Sequence, residues 1–415
     1  MRRAARFLPL TVACGLWLAA SGVSAQQVPS YGEHLALLKQ HTEVIELADG
    51  KARVIVCPRL QGRVMTATAA GLSGTSNGWV NPAALQAGEV NRQFNNYGGS
   101  DRFWLAPEAG QFGLFFAPGA RLTFANWFTP PALNQGAFRV LERSPRVVRL
   151  GRSMRLVNAS RTEFHIYVNR TVRLLSRWRL LHSLGDEAAA AIQQGRLQAV
   201  AYETENTITN LGPDWSREHG LLSIWILGMF PPGPETAILV PYRGGSESER
   251  GPVVISDYFG RLGPDRLKVL PQVILFRGDG RYRSKIGTTQ KRVRPVAGAI
   301  DFRRGVLTLV QFSLPPEPEK HLYVNNLWHL PQKEPYVGDV FNSYNDGPTE
   351  PGAESLGGFF ELETLSRTRE LRTGESLTHV HRTFHIQGPV EHLSRVTQAV
   401  LGVDLQTVRR EFFSK

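Results

Sequence analysis

The sequence predicts a mainly β protein, built of antiparallel sheets with a few short helices and a C-terminal helix packed on them. Segments rich in β-branched and aromatic residues recur along the chain: 52–58 (ARVIVCP), 111–118 (QFGLFFAP), 146–157 (RVVRLGRSMRLV), 163–175 (EFHIYVNRTVRLL) and 306–314 (VLTLVQFSL). Helical periodicity is scarce. The Pro/Gly-rich stretches at 230–235 and 314–319 are short and flanked by strands, so they read as loops and not as linkers.

In chain order, HLALLKQH (34–41) reads as a short helix. In 163–175 the apolar positions Phe164, Ile166 and Val168 give way to Thr171 and Arg173, which predicts a bulge or break near Asn169. Asp186 is placed to cap EAAAAIQQG, and Pro389 suits a first helical position ahead of Leu393, Val396, Val400 and Leu401, so a helix is expected over about 388–415.

The first 25 residues read as a secretory signal. Arg2, Arg3 and Arg6 precede an apolar run from Phe7 to Ala20, and Val23-Ser24-Ala25 offers small residues for cleavage before Gln26. Thr11-Val12-Ala13 before Cys14 is a poor lipoprotein signal. Residues 26–415 are then expected to form one exported domain, periplasmic or secreted, with no membrane span. Cleavage leaves Cys57 without a cysteine partner, so stability must come from the core. Of 48 basic residues 40 are arginine, and with the three signal arginines removed the balance is 45 − 36 = +9. Arginine forks suit carboxylates, and an acidic saccharide is among the expected partners. The spread is even and no basic motif is clustered, which argues against nucleic acid. No cofactor-binding motif occurs.

Three stretches carry candidate chemistry. GTSNG (74–78) matches a serine-nucleophile pattern, but its flanks lack the strand, sharp turn and helix that the pattern needs. NNYGGSDRFWLAPEAGQFGLFF (95–116) sets Asp101, Arg102, Trp104 and Glu108 close to a Gly98-Gly99 pair that permits tight backbone or close ligand approach. Aromatic faces stack on sugar rings, and Asp and Arg bond hydroxyls. THVHRTFH (378–385) puts His379, His381, Thr383 and His385 on one strand face, with Val380, Phe384 and Ile386 on the other, expected to be the core face. Upstream, Glu361 and Glu363 also share a face, and RTGES (372–376) reads as a turn joining the two strands as an antiparallel pair. Were the Glu and His faces to coincide, the surface would suit acid–base proton transfer or, alternatively, a divalent metal; otherwise it is a polar strand face with satisfied histidines.

LETLSRTRELRTGESLTHVHRTFHI resembles the C-terminal hairpin of the aldose 1-epimerase (galactose mutarotase-like) superfamily. Leu362-Glu363-Thr364 matches its Leu-Glu-Thr strand, Leu371, Thr373, Gly374 and Glu375 match the turn, and Tyr97-Gly98-Gly99 is similar to its His-Gly-Gly element. The GGSDRFWLAPEAGQF, RSKIGTT, FNSYNDGP and THVHRTFH segments resemble more closely a bacterial family of uncharacterised exported proteins in that superfamily. The resemblance implies a β-supersandwich with a sugar cleft on the concave sheet, Glu363 as catalytic base, and His379 or His381 as acid. Tyr97, Asp101, Arg102, Trp104, Lys285, Glu361 and His385 are the expected ligand contacts or orienting groups. The segment 209–230 resembles the strand that holds the superfamily's catalytic histidine, but carries Trp225 nearer that place and His219 away from it. A carbohydrate-binding module without catalysis, or a metal-stabilised structural face, are the alternatives.

Overall fold

The computed structural model describes residues 29–348 and 352–413; the expected signal and its cleavage site lie outside them. The chain opens with α1 (Tyr31–His41), β1 (Ile45–Asp49), β2 (Ala52–Cys57), β3 (Arg63–Thr68), α2 (Pro82–Ala87), β4 (Arg102–Ala106) and α3 (Pro131–Asn134). The middle comprises β5 (Arg139–Arg143), β6 (Val147–Val157), β7 (Glu163–Leu174), α4 (Arg177–Leu184), α5 (Asp186–Gln194), β8 (Gln198–Asn210), β9 (Ser223–Phe230), β10 (Thr236–Pro241) and α6 (Glu247–Arg250). Then come β11 (Leu267–Leu270), β12 (Val273–Arg277), β13 (Ser284–Thr289), β14 (Val296–Asp301), β15 (Val306–Phe312), β16 (Asp339–Asn345), β17 (Phe360–Leu365), β18 (Ser376–Gln387), α7 (Val390–Leu401) and α8 (Leu405–Phe412).

The strands form a small sheet, β1-β2-β3, a ten-stranded sheet in the order β11-β12-β10-β14-β15-β18-β8-β7-β6-β5, and a five-stranded sheet in the order β13-β16-β17-β9-β4. Neighbouring strands pair antiparallel, as in β17 with β9 and β18 with β8. The two larger sheets pack face to face. One apolar cluster joins Phe103, Leu105, Ile224 and Ile226 of the five-stranded sheet to Val148, Ile166, Val168 and Ile208 of the ten-stranded one. The outer face of the larger sheet is covered by α4, α5, α7 and α8, through Leu180, Ile192, Leu393, Val396 and Val408 against Ala201, Leu309, Phe384 and Ile386. The outer face of the smaller sheet is left for a cleft.

The helix expected at 34–41 begins three residues earlier, where Ser30 and Glu33 cap it reciprocally. Asp186 is the first residue of α5 and Gly185 its cap; α4, with Ser176 accepting from the Arg179 N–H, was not foreseen. The expected C-terminal helix is two helices. Gly402, at φ 74°, ends α7, and Asp404 caps α8.

Two strand expectations are corrected. β7 runs unbroken through Asn169 with strict alternation, because Arg170 occupies the buried slot where an apolar residue was expected. β17 and β18 do not pair. The turn at Thr373-Gly374 carries the chain from one sheet to the other, so the two strands face each other across the core.

Candidate functional site

The cleft face of the five-stranded sheet follows from its register. Arg102 lies opposite Leu227, Leu227 opposite Glu363, and Glu363 opposite Asn342, so these four side chains share one face. The next row on that face is Met229, Glu361, Tyr344 and Lys285. Loops raise the walls, which are lined by Glu108, Trp127, Tyr258, Phe259, Trp328 and Phe359. The enclosed volume is about 120 Å³. A wider open groove of about 720 Å³ crosses α5, α7 and α8, but it lacks buried ion pairs.

Two ion pairs form the floor. Lys285 Nζ donates to Glu363 Oε2 at 3.0 Å, and the Trp225 indole N–H donates to the same oxygen at 3.0 Å. Among the described residues, Glu363 Oε1 is buried and has no hydrogen-bond partner. Arg102 Nη2 donates to Glu361 Oε1 at 2.6 Å, and its guanidinium lies 4.1 Å over the Trp104 ring. Arg102 Nε and Nη1 and Trp104 Nε1 are buried donors without acceptors. Buried polar groups left without partners cost free energy.

The low-polarity setting shifts several groups. Burial pushes the Glu361 carboxyl up to about 8, with Arg102 pulling against it and Glu363 adding to it. Burial also raises Glu108, whose Oε1 accepts from the Trp127 indole at 2.9 Å, while Lys285 opposes the shift. Burial acts to depress Lys285, yet Glu363 and Glu108 outweigh it and hold the ammonium above its ordinary value. Beside the pair, Tyr258 donates to Asp339, which also accepts from Asn342 Nδ2 at 2.9 Å.

Of the expected site residues, Glu363, Glu361, Arg102, Trp104 and Lys285 line this cleft. Five others do not. Asp101 is fully buried behind β4, paired with Arg170 at 2.5 Å and accepting from Thr204 at 2.8 Å, so it is an internal counter-ion. Tyr97 packs toward the α1 cluster with the Arg63 guanidinium 5.5 Å from its ring centre. Its neighbour Gly98 serves close backbone packing, since a Cβ there would sit 2.2 Å from the Trp79 carbonyl oxygen.

The histidines are corrected most. His379 and His381 point between the sheets and both bond the Thr364 hydroxyl, through Nε2 at 2.9 Å and Nδ1 at 3.0 Å. His385 bonds Thr308 at 3.1 Å and packs edge-on against Phe230. Over 377–382 the His face of β18 is the buried one and Thr378, Val380 and Arg382 lie on the more open face, the reverse of the expectation; over 383–386 helices cover the far side too, and both faces are buried. Burial lowers His379 to about 3, His381 to about 4 and His385 to about 3, so all three are neutral near pH 7. The ring nitrogens of His379 and His381 are spent on Ser and Thr hydroxyls, while among the described residues His385 Nε2 is buried without a partner. Among the described residues no group of three or more His, Cys, Asp or Glu is placed to hold a metal ion. His219 bonds Ser216 in a loop. Ser76, the serine of GTSNG, is buried and bonded to His34 and Thr66, where it anchors α1.

The expected ligand contacts do not include Glu108, Trp225, Tyr258, Arg283 or Trp328, all of which line the cleft. Two of these left a readable signal: Arg283 is two residues before Lys285, hence on the same strand face, and Glu108 follows Trp104 within one aromatic segment.

A sandwich of two antiparallel sheets with a charged, aromatic-walled cleft on the smaller sheet is the class this architecture defines. It is similar in fold to Slr1438 protein from Synechocystis sp. PCC 6803, at 14% identity, TM-score 0.47, covering 83% of this chain and 96% of that one. It is also similar to a galactose mutarotase-like protein from Lactobacillus casei ATCC 334, at 11% identity, TM-score 0.44, covering 83% and 99%. A galactose mutarotase related enzyme from Lactobacillus acidophilus follows at 6% identity, TM-score 0.42, covering 83% and 97%. The chain belongs to DUF6786, a family of unknown function whose model matches residues 29–412. Curated proteins contain no match. Among the described residues no helix is long and apolar enough to cross a membrane.

Proposed function

We propose that the cleft binds a saccharide and moves protons on it, as epimerisation at an anomeric carbon requires. The observation that carries this reading is the Glu363 carboxylate. One oxygen is held by Lys285 and Trp225, and the other is buried, unpartnered and part of a cleft walled by Trp104, Trp127, Trp225 and Trp328. That free oxygen is the base, and it is the same glutamate that the Leu-Glu-Thr resemblance singles out. The acid is not a histidine of β18. Glu361, raised by burial and two residues away on the same face, carries the proton to be donated, and Arg102 fixes its orientation. The aromatic walls supply stacking faces for a sugar ring.

A binding module without turnover is the second reading. It is favoured by one observation: Lys285 and Trp225 both already bond one Glu363 oxygen, which suits holding a ligand in place as well as moving a proton. Anomer exchange followed by NMR for a panel of neutral and uronic sugars separates the two. The enzyme reading expects exchange above the spontaneous rate and its loss in Glu363→Gln. Binding with no exchange for any sugar leaves the module.

Export belongs to the same proposal, with the signal at 1–25 cleaved before Gln26 and the cleft working in the periplasm or outside the cell. N-terminal sequencing of protein from the exported fraction tests this, and a chain still beginning at Met1 there would overturn it.

A further inference from the structure

Three cations, Arg102, Arg283 and Lys285, and four carboxylates, Glu108, Asp257, Glu361 and Glu363, line the cleft, and among the described residues only two of the cations are ion-paired. Arg102 donates to Glu361, and Lys285 to Glu363. The third cation is Arg283, immediately before β13, which lines the same cleft. Among the described residues it has no carboxylate within ion-pair distance and no hydrogen-bond acceptor, and its Nε is buried. Its guanidinium is held by aromatic rings instead, 4.0 Å from the Phe259 ring centre and 5.0 Å from that of Phe124.

A stacked guanidinium keeps its in-plane N–H fork free while its faces are covered. The fork is pre-organised, so little side-chain entropy remains to be lost when an anion arrives. Carboxylate is the group whose two oxygens match that fork. Arg283 and Lys285 are two residues apart and both line the cleft, which spaces their attachment points by about 6.6 Å for extended backbone. A pyranose bound with its anomeric carbon at the Lys285–Glu363 pair would turn the substituent across its ring oxygen toward the Arg283 end of this spacing. In a uronic acid that substituent is a carboxylate.

We infer that the cleft selects a uronic acid or uronate-terminated saccharide, with Arg283 receiving the sugar carboxylate. This rests on the saccharide reading above and adds its substrate class and the residue that sets it. The neutral parent sugar offers a hydroxymethyl group there and leaves a guanidinium without a counter-charge.

The test is binding to the full chain of glucuronate, galacturonate, their neutral parents glucose and galactose, glucuronamide, and glucose 6-phosphate, measured by NMR titration. Each uronate is expected to bind about 10- to 100-fold more tightly than its neutral parent, the range for a charge-assisted pair. Arg283→Gln loses that ratio and Arg283→Lys keeps part of it. Glucuronamide, which has the shape without the charge, falls to the neutral level in the unsubstituted protein, so the inference is tested even where a variant does not fold. Equal binding of uronates and neutral sugars overturns the inference and leaves the saccharide reading standing. So does a ratio unchanged in Arg283→Gln, which would make the aromatic stack purely structural. Tighter binding of glucose 6-phosphate than of either uronate overturns it in favour of a phosphate. No binding of any sugar overturns both.

Discussion

Glu363 and Thr364 are consecutive on β17, and their side chains serve opposite sides of one sheet. The carboxylate meets Lys285 and Trp225 in the cleft, while the hydroxyl meets His379 and His381 in the core. The backbone that carries the base is thus fixed from behind by two neutral imidazoles sharing one hydroxyl. Thr364→Val keeps the shape and removes that hydroxyl, leaving buried ring nitrogens without their partner. It should cost about 1–3 kcal/mol of stability, read as a lower urea midpoint at unchanged slope. Sugar binding and any exchange, per folded molecule, should stay close to the unsubstituted level. A variant of full stability that had lost activity would place the histidines in the chemistry after all.

Glu361 makes the site's pH dependence specific. Its folded value is pushed up to about 8 from an ordinary carboxylate value. The proton it would donate is present below that value and leaves as pH rises through it, so exchange should fall on the alkaline side of about pH 8. Glu361→Gln removes the donor, and the residual rate should show no such limb. The stability sign is the same: a raised folded value contributes stability that is fully present below the unfolded carboxylate value and is lost as pH rises through about 8. A pH–rate profile flat from 6 to 9 would remove Glu361 from the proton-transfer role.

How much of this was readable in the chain depended on whether the signal was local. The strands, the short N-terminal helix and the shared face of Glu361 and Glu363 follow from period-two and helical patterns, which need only near neighbours. Glu363 and Lys285 stood out through motif resemblance, and both line the cleft. What failed was long-range. His379 and His381 were correctly put on one face of a strand, but alternation does not tell which layer lies over that face. RTGES was read as a hairpin turn, whereas it passes the chain between sheets. Arg170 broke the apolar rhythm of β7 because its partner, Asp101, is 69 positions away. Asp101 in turn reads as a ligand contact, since nothing adjacent in sequence reveals its counter-ion.

That buried pair makes its own prediction. Asp101 and Arg170 are both fully inaccessible, and Arg170 is further held by the Gly62 carbonyl at 3.0 Å and by Asn206. Removing one partner strands the other charge in the core. Asp101→Asn should therefore cost about 3–5 kcal/mol, measured by urea unfolding. Replacing both, as Asp101→Val with Arg170→Met, should recover a substantial part, because the desolvation penalty then disappears for both groups. A singly substituted protein of unaltered stability but weakened sugar binding would instead return Asp101 to the ligand site.

The buried histidines set the acid limit of the fold. Burial holds His34 at about 4, His379 at about 3, His381 at about 4 and His385 at about 3, all below the ordinary imidazole value near 6.5. Above about pH 6.5 these rings are neutral in both states and add no slope. Below it the unfolded chain binds protons that the native protein refuses, so stability falls as pH drops toward the folded values. Each ring contributes up to about 1.4 kcal/mol per pH unit. Glu361 acts in the opposite sense over this window, by one proton, so urea unfolding at intervals from pH 7.5 to 4.5 should show a net decline beginning below about pH 6.5, set by four rings against that one carboxyl. His385→Gln should make the decline shallower by about one proton's share, since Gln keeps a bond to Thr308 within reach and does not titrate. A profile that stays level to pH 5 would mean that these rings accept protons inside the fold, and the neutral-histidine clamp behind Glu363 would have to be abandoned.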